Sequence, residues 1–116
     1  MEYIKKLSNV PSFSQDGFNG FSFSIDDKNM SINMIDSYKG HEKYCKNLVS
    51  THIYYIISGS GRFKINGEIY NVEEKDIIEI PPNTEFIYAG KMKMLLIMNP
   101  PFNDNDNIEG KDNDLY

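Results

Sequence analysis

Two histidines and a single cysteine are the side chains here with the widest chemical range. His52 opens the run His52-Ile53-Tyr54-Tyr55. An imidazole in such a run serves as one ligand of a metal site, as an acid or base, or as a polar residue in a barrel wall. Strand alternation carries Tyr54 to the same face as His52. His41 sits in the charged stretch Lys39 to Lys43, which reads as a solvated loop. Cys45 has no partner histidine at a recognisable spacing, so a buried or half-buried thiol is expected rather than a nucleophile. Glu79 lies between Ile78 and Ile80 and is expected to face solvent; turned inward, it would be a second acid–base candidate near His52. Gly59-Ser60-Gly61 lacks the third glycine and the following helix of a dinucleotide loop and is expected to be a turn.

The elements that must position these groups are strands. Phe21, Phe23 and Ile25 alternate with Ser22 and Ser24, and Met30, Ile32 and Met34 alternate with Ser31 and Asn33. Ile53 to Ile57 is a continuous apolar run, as in a strand covered on both faces. Phe63 and Ile65 precede Asn66-Gly67, a tight-hairpin signal, because both residues tolerate positive φ. Asp76 to Ile80 ends at Pro81-Pro82-Asn83, where a turn belongs. Thr84 to Tyr88 and Lys91 to Met98 are expected as two strands broken at Ala89-Gly90. About eight short strands with close turns predict an all-β sandwich or barrel.

The 116 residues suffice for one domain and one core. The chain is expected to divide into an N-terminal segment, 1–19, available for dimer formation, a barrel over 20–102, and an acidic tail over 103–116. A calcium loop in that tail fails: with Gly110 at the loop glycine, Tyr116 falls where a bidentate Glu is required. The net charge of −5 and the single arginine, Arg62, make nucleic acid an unsuitable partner. No apolar run reaches the length of a membrane span, and the start, MEYIKKLSNV, lacks the apolar core of a signal peptide. Asn29-Met30-Ser31 is then a chance match to a glycosylation acceptor. One cysteine forms no internal disulfide, and a cytoplasmic setting fits.

The order of pieces over residues 20 to 102, strongest over HIYYIISGSGRFKINGEIYNVEEKDIIEIPPNTEF, resembles the cupin family. Cupins carry two motifs, whose three histidines and one glutamate hold a divalent metal. Gly59 matches the closing glycine of the first motif, which puts His52 at the glutamate position. The two histidine positions fall on Lys46 and Leu48 in one register and on Cys45 and Asn47 in the other. In the second motif Pro81 matches, Asn83 replaces the turn glycine and Phe86 replaces the histidine. The resemblance implies an all-β, cupin-like double-stranded β-helix or jelly-roll barrel whose metal ligands have been replaced. It therefore implies neither metal nor cofactor, apart from an asymmetric zinc site of Cys45, Asn47 and His52.

By the same resemblance His52 faces the interior, with Tyr54 beside it, Phe86 and Tyr88 opposite, and Asn47 or Leu48 completing the wall. The expected ligand-binding set is Asn47, Leu48, His52, Tyr54 and Phe86. The expected function is metal-independent binding of a small polar molecule such as a sugar or a nucleotide-linked sugar. A second reading follows from metal-free cupin-like enzymes: an isomerase, epimerase or lyase in which His52 pairs with Tyr54 or Tyr88. A third is an interaction or structural protein with a packed, ligand-free barrel. A homodimer is expected, with Phe13, Phe18, Phe21 and Phe23 supplying the surface.

Overall fold

A computed structural model describes every residue from Met1 to Tyr116. Nine strands follow one another: β1 (Phe13–Gln15), β2 (Phe18–Ser22), β3 (Ser31–Ser37), β4 (Lys43–Asn47), β5 (Thr51–Ile65), β6 (Glu68–Glu73), β7 (Ile77–Ile80), β8 (Thr84–Asn99) and β9 (Asn107–Asp112). All pairings between strands are antiparallel. The architecture rests on two long strands. β5 and β8 pair from Thr51↔Asn99 to Ile65↔Phe86, with a bulge between Ile56 and Ser58. A bulge bends a strand and sharpens its twist. The first half of β5 and the second half of β8 therefore sit in one wall with β2, β3 and β7, and their other halves sit in the opposite wall with β4, β6 and β9.

The breaks expected at Gly59-Ser60-Gly61 and Ala89-Gly90 are absent, because both glycine stretches lie inside continuous ladders, where Gly61 faces Gly90. The hairpin at Asn66-Gly67 is present, with φ of 48° and 85° between β5 and β6. The core between the walls contains Ile35, Ile56, Phe63, Ile80, Met92 and Met94, all buried.

Residues 103–116 do not form a tail. A 3-10 turn, Asp104–Asp106, leads into β9, which pairs with β4. Leu115 then packs with Tyr44, Ile87 and Ala89 in a second small core. Polar side chains make this possible by bonding to the barrel: Arg62 to the Leu115 carbonyl, Tyr44 to Asp114 at 2.5 Å, and Asn113 to two carbonyls described below. Residues 1–19 are not separate from the barrel either. Phe18 is a core residue, and Phe13 packs edge-on against it at 6.1 Å.

β2 and β3 turn several of their polar members inward. Ser22 and Asn33 face each other across the two strands and line the interior with Ser31, while Phe21, Ile32 and Met34 take the outer face. Across the wall the outer face continues through the partners of Met34, which are Leu95, then Tyr55, then Ile77.

Candidate functional site

The interior is open. A cavity of about 940 Å³ lies between the walls, within the range of small-molecule sites. His41, His52, Tyr54, Phe86 and Tyr88 all line it. The ring contacts run continuously from one histidine to the other. His41 stacks on Phe18 at 5.5 Å and meets the Tyr88 edge at 5.6 Å. Tyr88 meets Tyr54 at 5.7 Å, and Tyr54 stacks on His52 at 6.2 Å. Phe86 packs against His52 at 5.1 Å.

Strand alternation accounts for half of this arrangement. His52, Tyr54 and Ile56 point inward from β5, as do Phe86 and Tyr88 from β8, and all five are buried. The other half depends on a loop held against β8. Gly40 takes a φ of 148°, and a Cβ there would stand 2.5 Å from the Tyr88 carbonyl oxygen. Only glycine permits that approach. The next residue follows directly: the His41 amide donates to the Tyr88 carbonyl at 3.0 Å. Asn113 then fastens both residues, its Nδ2 donating to the His41 carbonyl at 2.7 Å and to the Tyr88 carbonyl at 2.9 Å.

His41 therefore does not belong to a solvated loop. The charges around it in sequence point away, while its ring enters the cavity. Its Nδ1 lies 2.6 Å from the Lys43 carbonyl, which can only accept, so Nδ1 carries the proton and Nε2 keeps its lone pair. Burial lowers the pKa of His41 from its ordinary value, against smaller raising effects from the Lys43 carbonyl and Glu109. The ring is then neutral at pH 7, with a free basic nitrogen.

His52 differs. Its ring makes no hydrogen bond within the chain, and burial, with a smaller contribution from His41, lowers its pKa to about 4. The hydroxyls of Tyr54 and Tyr88 also lack partners in the chain. Burial raises both pKa values, so both hydroxyls keep their protons and are available as donors.

Two expected wall residues lie elsewhere. Asn47 is buried, but its Oδ1 accepts from the Val49 and Ser50 amides and closes the turn after β4. Leu48 lies past the end of β4 and is 46 % exposed. The zinc alternative fails with them. Cys45 donates to Asn107 Oδ1, and burial pushes its thiol up to about 12. No group of three or more His, Cys, Asp or Glu side chains is placed to hold a metal ion, so the residues present do not fit the metal of the cupin motifs. Alternation and motif spacing passed over Phe18, Asn33, Asn107 and Glu109, all of which line the cavity. The inward serines and asparagine of β2 and β3 were visible in the sequence, but not the side they would take.

An open two-walled barrel built on shared long strands is the cupin fold, and in this chain other residues stand at the metal-ligand positions of the cupin motifs. The profile of the AraC-like ligand binding domain family matches residues 42–89. The chain is similar to Pac13 of Streptomyces, a nucleoside dehydratase, at 28 % identity and a TM-score of 0.88, covering 97 % of this chain and 93 % of that one. Pac13 has also been solved with uridine in three single variants, one replacing a histidine by glutamine and two replacing a tyrosine by phenylalanine. KdgF from Halomonas shares the fold at 12 % identity and a TM-score of 0.67, over 86 % of this chain and 89 % of that one. No curated protein sequence matches the chain.

Proposed function

We propose that this protein is a nucleoside dehydratase that binds a uridine-type nucleoside in the barrel and eliminates water from its sugar. One observation carries the reading. His41, Tyr54 and Tyr88 bring an imidazole lone pair and two unpartnered hydroxyls to one cavity. Support comes from spacing: the histidine and tyrosines substituted in uridine-bound Pac13 are 13 and 34 positions apart, the separations of His41, Tyr54 and Tyr88.

In the proposed step His41 Nε2 takes a proton from a sugar carbon. The C–H electron pair becomes the new C=C bond as the neighbouring C–O bond breaks. The hydroxide leaves as water on receiving that proton back from the His41 imidazolium. Tyr54 and Tyr88, held protonated, donate hydrogen bonds to oxygen as charge develops on it. His41 thus takes the part expected of His52, while the tyrosines keep theirs.

A nucleoside suits the cavity better than a nucleotide-linked sugar. No lysine or arginine lines it, and Asp104 and Glu109 stand among the lining residues. A phosphate would enter against these carboxylates without a counter-charge. The reading includes a metal-independent reaction, a cytoplasmic setting and a homodimer. For the dimer, the surface is the apolar row Phe21–Met34–Leu95–Tyr55–Ile77, which keeps Phe21 of the expected phenylalanines and leaves out Phe18, since that ring is in the core.

The test is calorimetric titration with uridine and uridine monophosphate, followed by incubation with sugar-modified uridines and mass spectrometry for loss of one water. Uridine binding, at least ~10-fold weaker monophosphate binding, and turnover unaffected by a chelator are expected. No uridine binding, or tighter binding of the monophosphate, defeats the reading. Light scattering that finds only monomers defeats the dimer.

A further inference from the structure

We infer that the His52 end of the cavity is a nucleobase subsite, in which Asn33 and His52 recognise the imide edge of a uracil-type base. The inference rests on the proposed nucleoside function and adds to it which part of the ligand lies where, and which residues choose the base.

The two ends of the cavity are chemically unlike. Proton-transfer groups gather around His41 and Tyr88. At the other end, β8 brings two polar side chains into its neighbourhood: Asn33 pairs with Leu96 from one side, and His52 pairs with Met98 from the other. Both are more than nine-tenths buried, at 9 % and 5 % exposure. Asn33 Oδ1 accepts from the Ser22 hydroxyl at 2.7 Å, which fixes the amide and leaves Nδ2 without a partner in the chain. His52 bonds to nothing in the chain either, and the neighbouring Ser31 hydroxyl is buried without a partner. Unpaired polar groups inside a protein cost free energy. Here they lie on the faces of β3 and β5 that meet an open cavity, while Ile32 and Met34 of β3 are turned outward.

What these groups can bind follows from their donors and acceptors. Asn33 Nδ2 only donates. A neutral imidazole presents one N–H and one lone pair. The edge of a uracil ring alternates carbonyl, N–H, carbonyl, so a ring carbonyl can accept from Asn33 while the ring N–H donates to the His52 lone pair. Cytosine reverses this pattern at two places, with an amino group in place of one carbonyl and a lone pair in place of the N–H. Tyr54 and Phe86 around His52, with Phe102 in the segment after β8, provide apolar faces for a flat ring. A nucleoside with its base at this end has its sugar toward His41.

The experiment is calorimetric titration of uridine and cytidine into the unchanged protein and into Asn33→Asp, Asn33→Leu and His52→Phe, with circular dichroism on each. The unchanged protein should favour uridine by ~10-fold or more, and Asn33→Leu and His52→Phe should each remove most of that preference. Asn33→Asp keeps the shape but replaces the donor by an acceptor, and should move the preference toward cytidine. Equal binding of the two nucleosides by the unchanged protein, or an unaltered ratio in folded Asn33→Asp, overturns the subsite and leaves the nucleoside reading in place. No uridine binding at all overturns both. If Asn33→Leu or His52→Phe does not fold, the near-isosteric Asn33→Asp decides the matter.

Discussion

His41 and His52 share a cavity and a chain of ring contacts, yet their surroundings give them different abilities. His41 is on a loop, tied through Nδ1 to a carbonyl, with a carboxylate near enough to oppose the effect of burial. His52 is near the start of β5, packed between Tyr54 and Phe86, with its pKa near 4. The first is oriented and basic. The second stays neutral over the working range of most proteins and serves as a hydrogen-bonding surface. The difference teaches that an imidazole in an aromatic pocket is not by that fact an acid–base catalyst; what holds its other nitrogen decides.

The largest expected effect separates the two on the reaction. His41→Gln should lower kcat by ~10²–10⁴-fold. Its uridine affinity and uridine-to-cytidine ratio should change little, as read by steady-state kinetics and calorimetry. His52→Phe should do the reverse, and equal losses of kcat in both variants would erase the distinction. Next comes stability against acid. Below its ordinary pKa of 6.5, His52 takes up a proton in the unfolded chain before it does in the folded one. Stability should therefore fall as pH drops from about 6.5 to 4, by ~3 kcal/mol from this group. His52→Phe should flatten that part of the curve in urea denaturation.

Gly40→Ala sharpens the comparison from the loop side. It should destabilise the fold by at least ~1 kcal/mol, since the new Cβ meets the Tyr88 carbonyl, and should cost turnover while sparing base preference. Asn113→Ala should act in the same direction, by ~1–2 kcal/mol, through three lost hydrogen bonds, two to the His41 and Tyr88 carbonyls and one from the Leu115 amide. The smallest effect is a shift in pH dependence. Glu109 raises the pKa of His41, so Glu109→Gln should move the acid limb of kcat to lower pH. A shift to higher pH would contradict the assignment of His41 as base.

Much of the barrel was legible in the sequence, because alternation, the Asn66-Gly67 hairpin and the proline turn are local signals. The inward path of His52, Tyr54, Phe86 and Tyr88 followed from the spacing of Gly59 and Pro81 in the family pattern. Local reading failed where distant chain segments decide the outcome. His41 sits among lysines and a glutamate, and only contacts with Tyr88 and Asn113 turn it inward. Alternation in β3 gives two faces without saying which is which, and here the polar one turned in. The polar composition of 103–116 concealed a strand, because its hydrogen-bonding groups are used against the barrel rather than against water. Counting from the motif puts Leu48 in the wall, but β4 stops one residue before it.

The bonds from Asn113 span 72 positions to His41 and 25 to Tyr88. During synthesis the chain emerges N-terminus first, at about 5–20 residues per second. The base of the proposed reaction is therefore made several seconds before the amide that fixes its backbone. Until then a nascent barrel can close its first wall and its hairpin, holding Asn33 and His52 in place while the His41 loop still lacks its anchor. In the proposed reading, the nucleobase end is thus framed by pairings made before residue 100, while the sugar end is fixed only by the last few residues of the chain.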